Sequence, residues 1–190
     1  MKKTKDVVLL VLSILLFVST VSNAAVSLDG KKLEEIGESG STQAMQGLIK
    51  RYEKSTKTDD MIYLGIIYHN LSVNGKDEVM KKALATTKKA MEQTGHPLAA
   101  GYYGSTLTIK AGHCAKKGDM MGAMEYLQKG MAAIDEAVKK APGDFNLRLL
   151  RLENSISVSQ GSPLDRTEKI EEDLGALKQN KKSLSKTQAS

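Results

Sequence analysis

MIYLGIIYHNL, residues 61–71, sets Leu64, Gly65 and Tyr68 along one stripe of a helix. A later stretch, KGMAAIDEAVKKAPGD at 129–144, closes a second helix with Ala137, Val138, Ala141 and Pro142. Glycine inside a helix costs about 0.5–1 kcal/mol relative to alanine. Gly65 and Gly130 therefore mark places where two helix backbones come close enough for packing to offset that loss. Read this way, both stretches are the contact faces of paired, stacked helices.

Outward from these stretches, apolar residues recur at three and four positions, and period-two alternation is almost absent. DGKKLEEIGES (29–39) predicts a short helix carrying Leu33 and Ile36. Ala44, Met45, Leu48, Ile49 and Tyr52 form an apolar stripe behind a Ser41 or Thr42 cap. Met61, Leu64, Tyr68 and Leu71 mark a third helix. A turn at Asn74-Gly75 separates it from a fourth, lined by Met80, Ala83, Leu84, Thr87, Ala90 and Met91. Pro97 opens the next helix, where its missing N–H costs nothing, and that helix runs to about Ala115. Met120, Met124, Leu127, Met131, Ile134 and Val138 then repeat at alternating intervals of four and three, the clearest periodicity in the chain. NLRLLRLENSISV (146–158) is again apolar on one face. Ser162-Pro163-x-Asp165 starts the last helix, with acidic residues early and lysines late, the order the helix dipole favours. Seven or eight helices on such short links pack antiparallel to their neighbours.

These features resemble the tetratricopeptide repeat (TPR), a helix–turn–helix unit of about 34 residues. Leu64-Gly65-x-x-Tyr68 is similar to the core of its first helix. Ala83 and Ala90 followed by Pro97, and then Gly130, Ile134, Ala137 and Pro142, are similar to its second. The likeness spans roughly residues 59–150 as two degenerate units. It fails in the helix after Pro97, which lacks a Leu-Gly-x-x-Tyr, and in LSVNGKDEV (71–79), which is longer than a standard turn. The resemblance implies an all-α fold of antiparallel helical hairpins stacked as a short TPR-like right-handed array, working as a protein-binding scaffold and not as an enzyme. In that family a partner lies along the concave surface lined by the first helices. On this chain that face would offer Asp59, Ile62, Ile66, His69 and Asn70. Some members grip a C-terminal carboxylate with Lys and Asn there, but Ile62 and Ile66 stand at the matching places. The implied groove is apolar, suited to an amphipathic helix or an extended peptide. The competing expectation is that another helix of the same chain covers Ile62 and Ile66.

The N-terminus reads as an export signal. Lys2, Lys3 and Lys5 precede Val7–Val18, an apolar run broken by Ser13, and Ser22 and Ala24 are the small residues of a cleavage site. A helix of that run rises only ~18 Å, short of a ~30 Å hydrocarbon core. We therefore expect a signal peptide at 1–24, a helical domain at 25–182 and a flexible tail at 183–190. The mature protein would be periplasmic or secreted, touching the membrane only during export. The chain holds 28 basic and 22 acidic residues. Without the leader's three lysines and Asp6 the net charge is near +4, with the signs interspersed, which argues against nucleic acid as a partner. With one cysteine, Cys114, no internal disulfide can form, so packing must hold the domain.

Candidate chemistry is sparse. His113 and Cys114 are adjacent, and neighbouring helical residues point ~100° apart, so they do not face each other as base and nucleophile. His69, His96 and His113 show none of the i, i+3 or i, i+4 spacings that converge metal ligands on a helix. Met120, Met121 and Met124 could attract copper(I), but Met120 and Met124 fall on the periodic stripe and read as core. We therefore expect no catalytic residue, cofactor or metal. An alternative to the scaffold is a carrier with a small apolar ligand between its helices, lined by Tyr102, Tyr103 or Tyr126.

Overall fold

A computed structural model describes residues 28–38, 42–73 and 75–187. The signal segment 1–24 and the Ser41 cap lie outside the described residues. Among those described the chain is all helical: α1 (Gly30–Glu38), α2 (Thr42–Glu53), α3 (Thr58–Ser72), α4 (Asp77–Thr94), α5 (Pro97–Lys116), α6 (Met120–Lys140), α7 (Phe145–Gly161) and α8 (Thr167–Thr187). None of them is long and apolar enough to cross a membrane.

The boundaries have local causes. Gly95 ends α4 at φ 62°, the left-handed cap that glycine adopts without a Cβ penalty. Pro97 then begins α5, and the ring of His96 accepts the Leu98 N–H. Asp119 caps α6 by accepting the Gly122 N–H, and Asp144 caps α7 by accepting the Leu147 N–H. Asp165 accepts the Thr167 N–H, so α8 begins beyond the Ser162-Pro163 start read from the sequence. It also continues past residue 182, where the sequence suggested a frayed tail.

Helices α3, α5 and α7 lie side by side, α3 against α5 and α5 against α7. Each also pairs with its successor, α4, α6 and α8 respectively. Helix α4 bridges to α5 and α6 to α7, whereas α4, α6 and α8 do not pack on one another. The result is an inner row in contact and an outer row set apart. Helices α1 and α2 cover the free side of α3. There the Asp29 N–H donates to the Tyr63 hydroxyl at 2.6 Å, and the Lys32 Nζ meets Asp60 at 2.9 Å. Tyr68, the tyrosine of the Leu-Gly-x-x-Tyr stretch, donates to Glu53 of α2 at 2.8 Å.

The position of α3 explains a departure from the sequence reading. A helix apolar on all sides belongs inside, and α3 buries Ile62, Tyr63, Ile66, Ile67 and Tyr68 together. Met61, Leu64 and Leu71, read as its core stripe, are only half-buried. Ile62 and Ile66 join Ile36, Leu48, Tyr52, Leu98 and Ala99 in the main cluster. A second cluster around Leu127, Met131, Ile134 and Val158 ties α5, α6 and α7, and a third around Leu149, Leu152 and Leu177 ties α7 to α8.

Glycine permits the closest approach where α5 crosses α6. A Cβ on Gly104 would stand 2.7 Å from the Gly130 carbonyl oxygen, and one on Gly130 would stand 2.6 Å from that of Gly104. Two glycines thus face each other backbone to backbone. Gly65 is different: its missing Cβ would meet Thr87 at 3.5 Å and Ala90 at 3.7 Å, ordinary contact. It packs on α4 as expected, but an alanine would fit.

Candidate functional site

The prominent concavity is a groove of about 540 Å³ formed by the C-terminal halves of α5 and α7 and the N-terminal half of α6. Its origin is the course of α6 and α7. Their shared end, at Ala137, Val138 and Leu147, is sealed into the main cluster. Towards the other end a cleft lies between them, with α5 as its floor.

The floor is polar. With the Nδ1–H of His69 donated to Asn70 Oδ1 at 3.0 Å, its Nε2 accepts from the Ser105 hydroxyl at 2.7 Å. Asn154 Nδ2 donates to Ser105 Oγ at 3.0 Å, and Thr108 Oγ1 donates to Asn154 Oδ1 at 2.7 Å. This chain crosses from α3 to α5 through one residue pair and from α5 to α7 through two. The walls are apolar, from Ile109, Ala111, Met124, Leu127 and Val158. At the mouth stand the large exposed apolar side chains: Met120, 62 % exposed, and Val73, 50 % exposed, with Met121, 88 % exposed, beside them.

Ser105, His69 and Asn70 form a Ser–His–Asn relay, the order in which a nucleophile, a base and an orienting group stand in hydrolases. Its surroundings suit a tie between helices better. Ser105 is 2 % exposed in the middle of α5, where the backbone N–H groups are engaged in the helix and none is free to hold an oxyanion. Burial lowers the His69 pKa to about 4, against a weaker opposing effect of its bond to Asn70. The ring therefore stays neutral, and taking a proton from serine would put a charge on a ring that is only 8 % exposed.

The residues named from the sequence fall in several places. Of the five on α3, Asp59 is exposed, Asn70 is half-buried, and Ile62, Ile66 and His69 are buried. Ile62 and Ile66 are enclosed in the main core, so the face they were expected to offer is closed by the chain's own residues. Only His69 reaches the groove, as part of its floor. None of the three tyrosines is among the groove's lining residues. Tyr102 packs edge-on to His69 at 5.0 Å between ring centres, while Tyr126 lies under the Lys110 ammonium. Cys114 is buried on α5, its neighbour His113 turned to Asp77 of α4, and His96 caps α5. The methionines split: Met124 lines the groove wall, while Met120 and Met121 project outward instead of entering the core.

Sequence reasoning missed the groove because its residues come from four helices with no shared motif. Gly112 and Gly161 are among those residues, and a Cβ on either would meet nothing within 4 Å. Such glycines leave open space, unlike the Gly104–Gly130 pair. No protein-family model matches the chain, and no curated protein or solved structure is significantly similar to it.

Proposed function

We propose that this chain is an exported, non-enzymatic adaptor of the cell envelope, built as a TPR-like array of helical hairpins, that holds a segment of another protein in the groove between α5, α6 and α7. The observation that carries this reading is the groove's open, apolar mouth. A patch of exposed Met120 and Val73 continuous with an apolar cleft costs free energy in water unless something covers it. Methionine suits that role because its flexible thioether adapts to different partner surfaces. The two-row packing of α3 to α8 and the Leu64-Gly65-x-x-Tyr68 stretch support the array. The basic, apolar N-terminal segment supports export.

The binding surface in this proposal differs from the one read from the sequence, moving from α3 to the cleft two helices further on. The carrier alternative has less support, since the groove opens to solvent along one side and the tyrosines lie elsewhere. The test is site-specific photocrosslinking in the native envelope. A benzophenone side chain at Ser157, in the groove, should give discrete adducts that disappear when Gly112→Trp fills the cleft. The same group at Lys89, exposed on α4, should not give them. Equal labelling from both positions, or adducts that survive Gly112→Trp, would overturn the reading.

A further inference from the structure

The groove carries one unanswered charge. Glu153 projects from α7 into its lining, and the only other titratable side chain there is His69, which burial holds neutral. No lysine or arginine lines the cleft. The acids around the α8-facing side of α7 are matched. Asp173 takes two hydrogen bonds from Arg151, Glu172 takes one from Arg148, and Asp135 takes two from Arg166. Glu153 has no hydrogen bond or ion pair among the described residues. The residue is exposed, so a cation can reach it, and the apolar walls beside its carboxyl push its pKa upward.

Resting on the adaptor reading, we propose that the occupant of the groove is an apolar peptide segment that carries a lysine or arginine, with its cation paired to Glu153 and its apolar side chains against Ile109, Met124 and Val158. A carboxylate at the edge of an apolar cleft is a poor neighbour for apolar groups alone and a good one for a cation whose aliphatic stem packs along the walls. A free small amine would satisfy Glu153 but leave Met120 and Val73 in water, whereas a chain segment covers both. The polar floor offers Thr108 and Asn154 to backbone groups of that segment.

The test uses the full chain and three fluorescein-labelled amphipathic Ala/Leu peptides, identical except for a central Lys, Gln or Glu, titrated by anisotropy. The Lys peptide should bind about fivefold tighter than the Gln peptide, the size expected of an exposed ion pair, and the Glu peptide weakest. Glu153→Gln should erase this order without weakening the Gln peptide, and Glu153→Lys should reverse it. Gly112→Trp should abolish binding of all three. If the peptides bind alike and Gly112→Trp still blocks them, charge selection is wrong while the adaptor reading stands. If no peptide binds at up to ~1 mM although Ser157 gives its adducts, this occupant is wrong and the adaptor reading again stands. If hexylamine alone competes as well as the Lys peptide, the site takes small cations and the peptide assignment fails. Loss of both the peptide binding and the Ser157 adducts would sink the two together.

Discussion

Gly104 and Gly130 separate what glycine does from where glycine merely occurs. At each, the atom nearest to a new Cβ is a backbone oxygen of the facing helix, which cannot rotate away. Gly130 has in addition Thr108 Cγ2 at 2.7 Å and Thr108 N at 3.0 Å. Gly130→Ala or Gly104→Ala must push α5 and α6 apart, and overpacking of this kind costs about 1–3 kcal/mol. The better helix propensity of alanine offsets part of it. Gly65→Ala meets only ordinary contacts, so it should be neutral or stabilise by up to about 1 kcal/mol. Urea unfolding of the three variants checks the contrast through their midpoints at unchanged slope. Equal effects at Gly65 and Gly130 would mean that backbone approach is not what separates these sites. From the sequence both glycines carried the same argument, because spacing along one helix cannot report how near the next helix lies.

At the scale of elements, α8 is held on α7 by the cluster around Leu149, Leu152 and Leu177 and by one charged lock. Asp173 is fully buried and receives Arg151 Nε and Nη2, each at 2.7 Å, and Arg148 Nη1 at 2.9 Å. Arg151 is itself 3 % exposed. Removing one partner of a buried pair leaves a charge without compensation, at a cost of about 3–5 kcal/mol. Asp173→Asn should fall at the low end, since Glu172 still meets Arg151 at 2.8 Å. Pairing Arg151→Met with Asp173→Leu should recover most of the loss, since apolar replacement of a buried ion pair is often neutral; thermal unfolding of single and double variants decides it. Glu172 adds an acid dependence. Its burial would raise the carboxyl pKa, but hydrogen bonds from Arg151, Arg148 and Lys169 overcome that and hold it at about 2 against an ordinary 4.5. A lowered folded pKa gives stability that is complete above the ordinary value and lost as pH falls towards the folded one. The α7–α8 contact should therefore weaken between about pH 4.5 and 2, seen as faster amide exchange in α8, and Glu172→Gln should flatten that dependence. Helix positions were legible here because acids then lysines along α8 follow the helix dipole. The lock was not, because Arg148 and Arg151 read as the polar side of an apolar-faced helix until α8 is laid over them.

For the whole molecule, the all-α class was legible because apolar periodicity, Pro97 and the Asn/Gly turns all point the same way. The cleft was not, because where α6 and α7 leave a gap depends on contacts between residues far apart in sequence. What the sequence suggested for α3 failed for a related reason: periodicity does not tell which helices lie on its Ile62–Ile66 face, and residues of α1, α2 and α5 enclose it. The order of contacts makes a further demand on stability. Helices α4, α6 and α8 touch inner-row neighbours but not each other, so cohesion passes mainly from each helix to the next, as in stacked arrays. Free energies of opening should then be graded and not uniform. Helices α3 and α5, central and buried on most sides, should exchange their amides most slowly. Helix α8, packed on α7 alone, and the short α1, at the edge of the array against α2 and α3, should exchange fastest. Asp173→Asn should speed exchange in α8 strongly, in α7 less, and in α3 hardly at all. Native-state hydrogen exchange read by mass spectrometry measures this gradient directly. A single protection level across α3 to α8, falling everywhere at once in Asp173→Asn, would show one closed cooperative core, and the stacked reading of this chain would have to be abandoned.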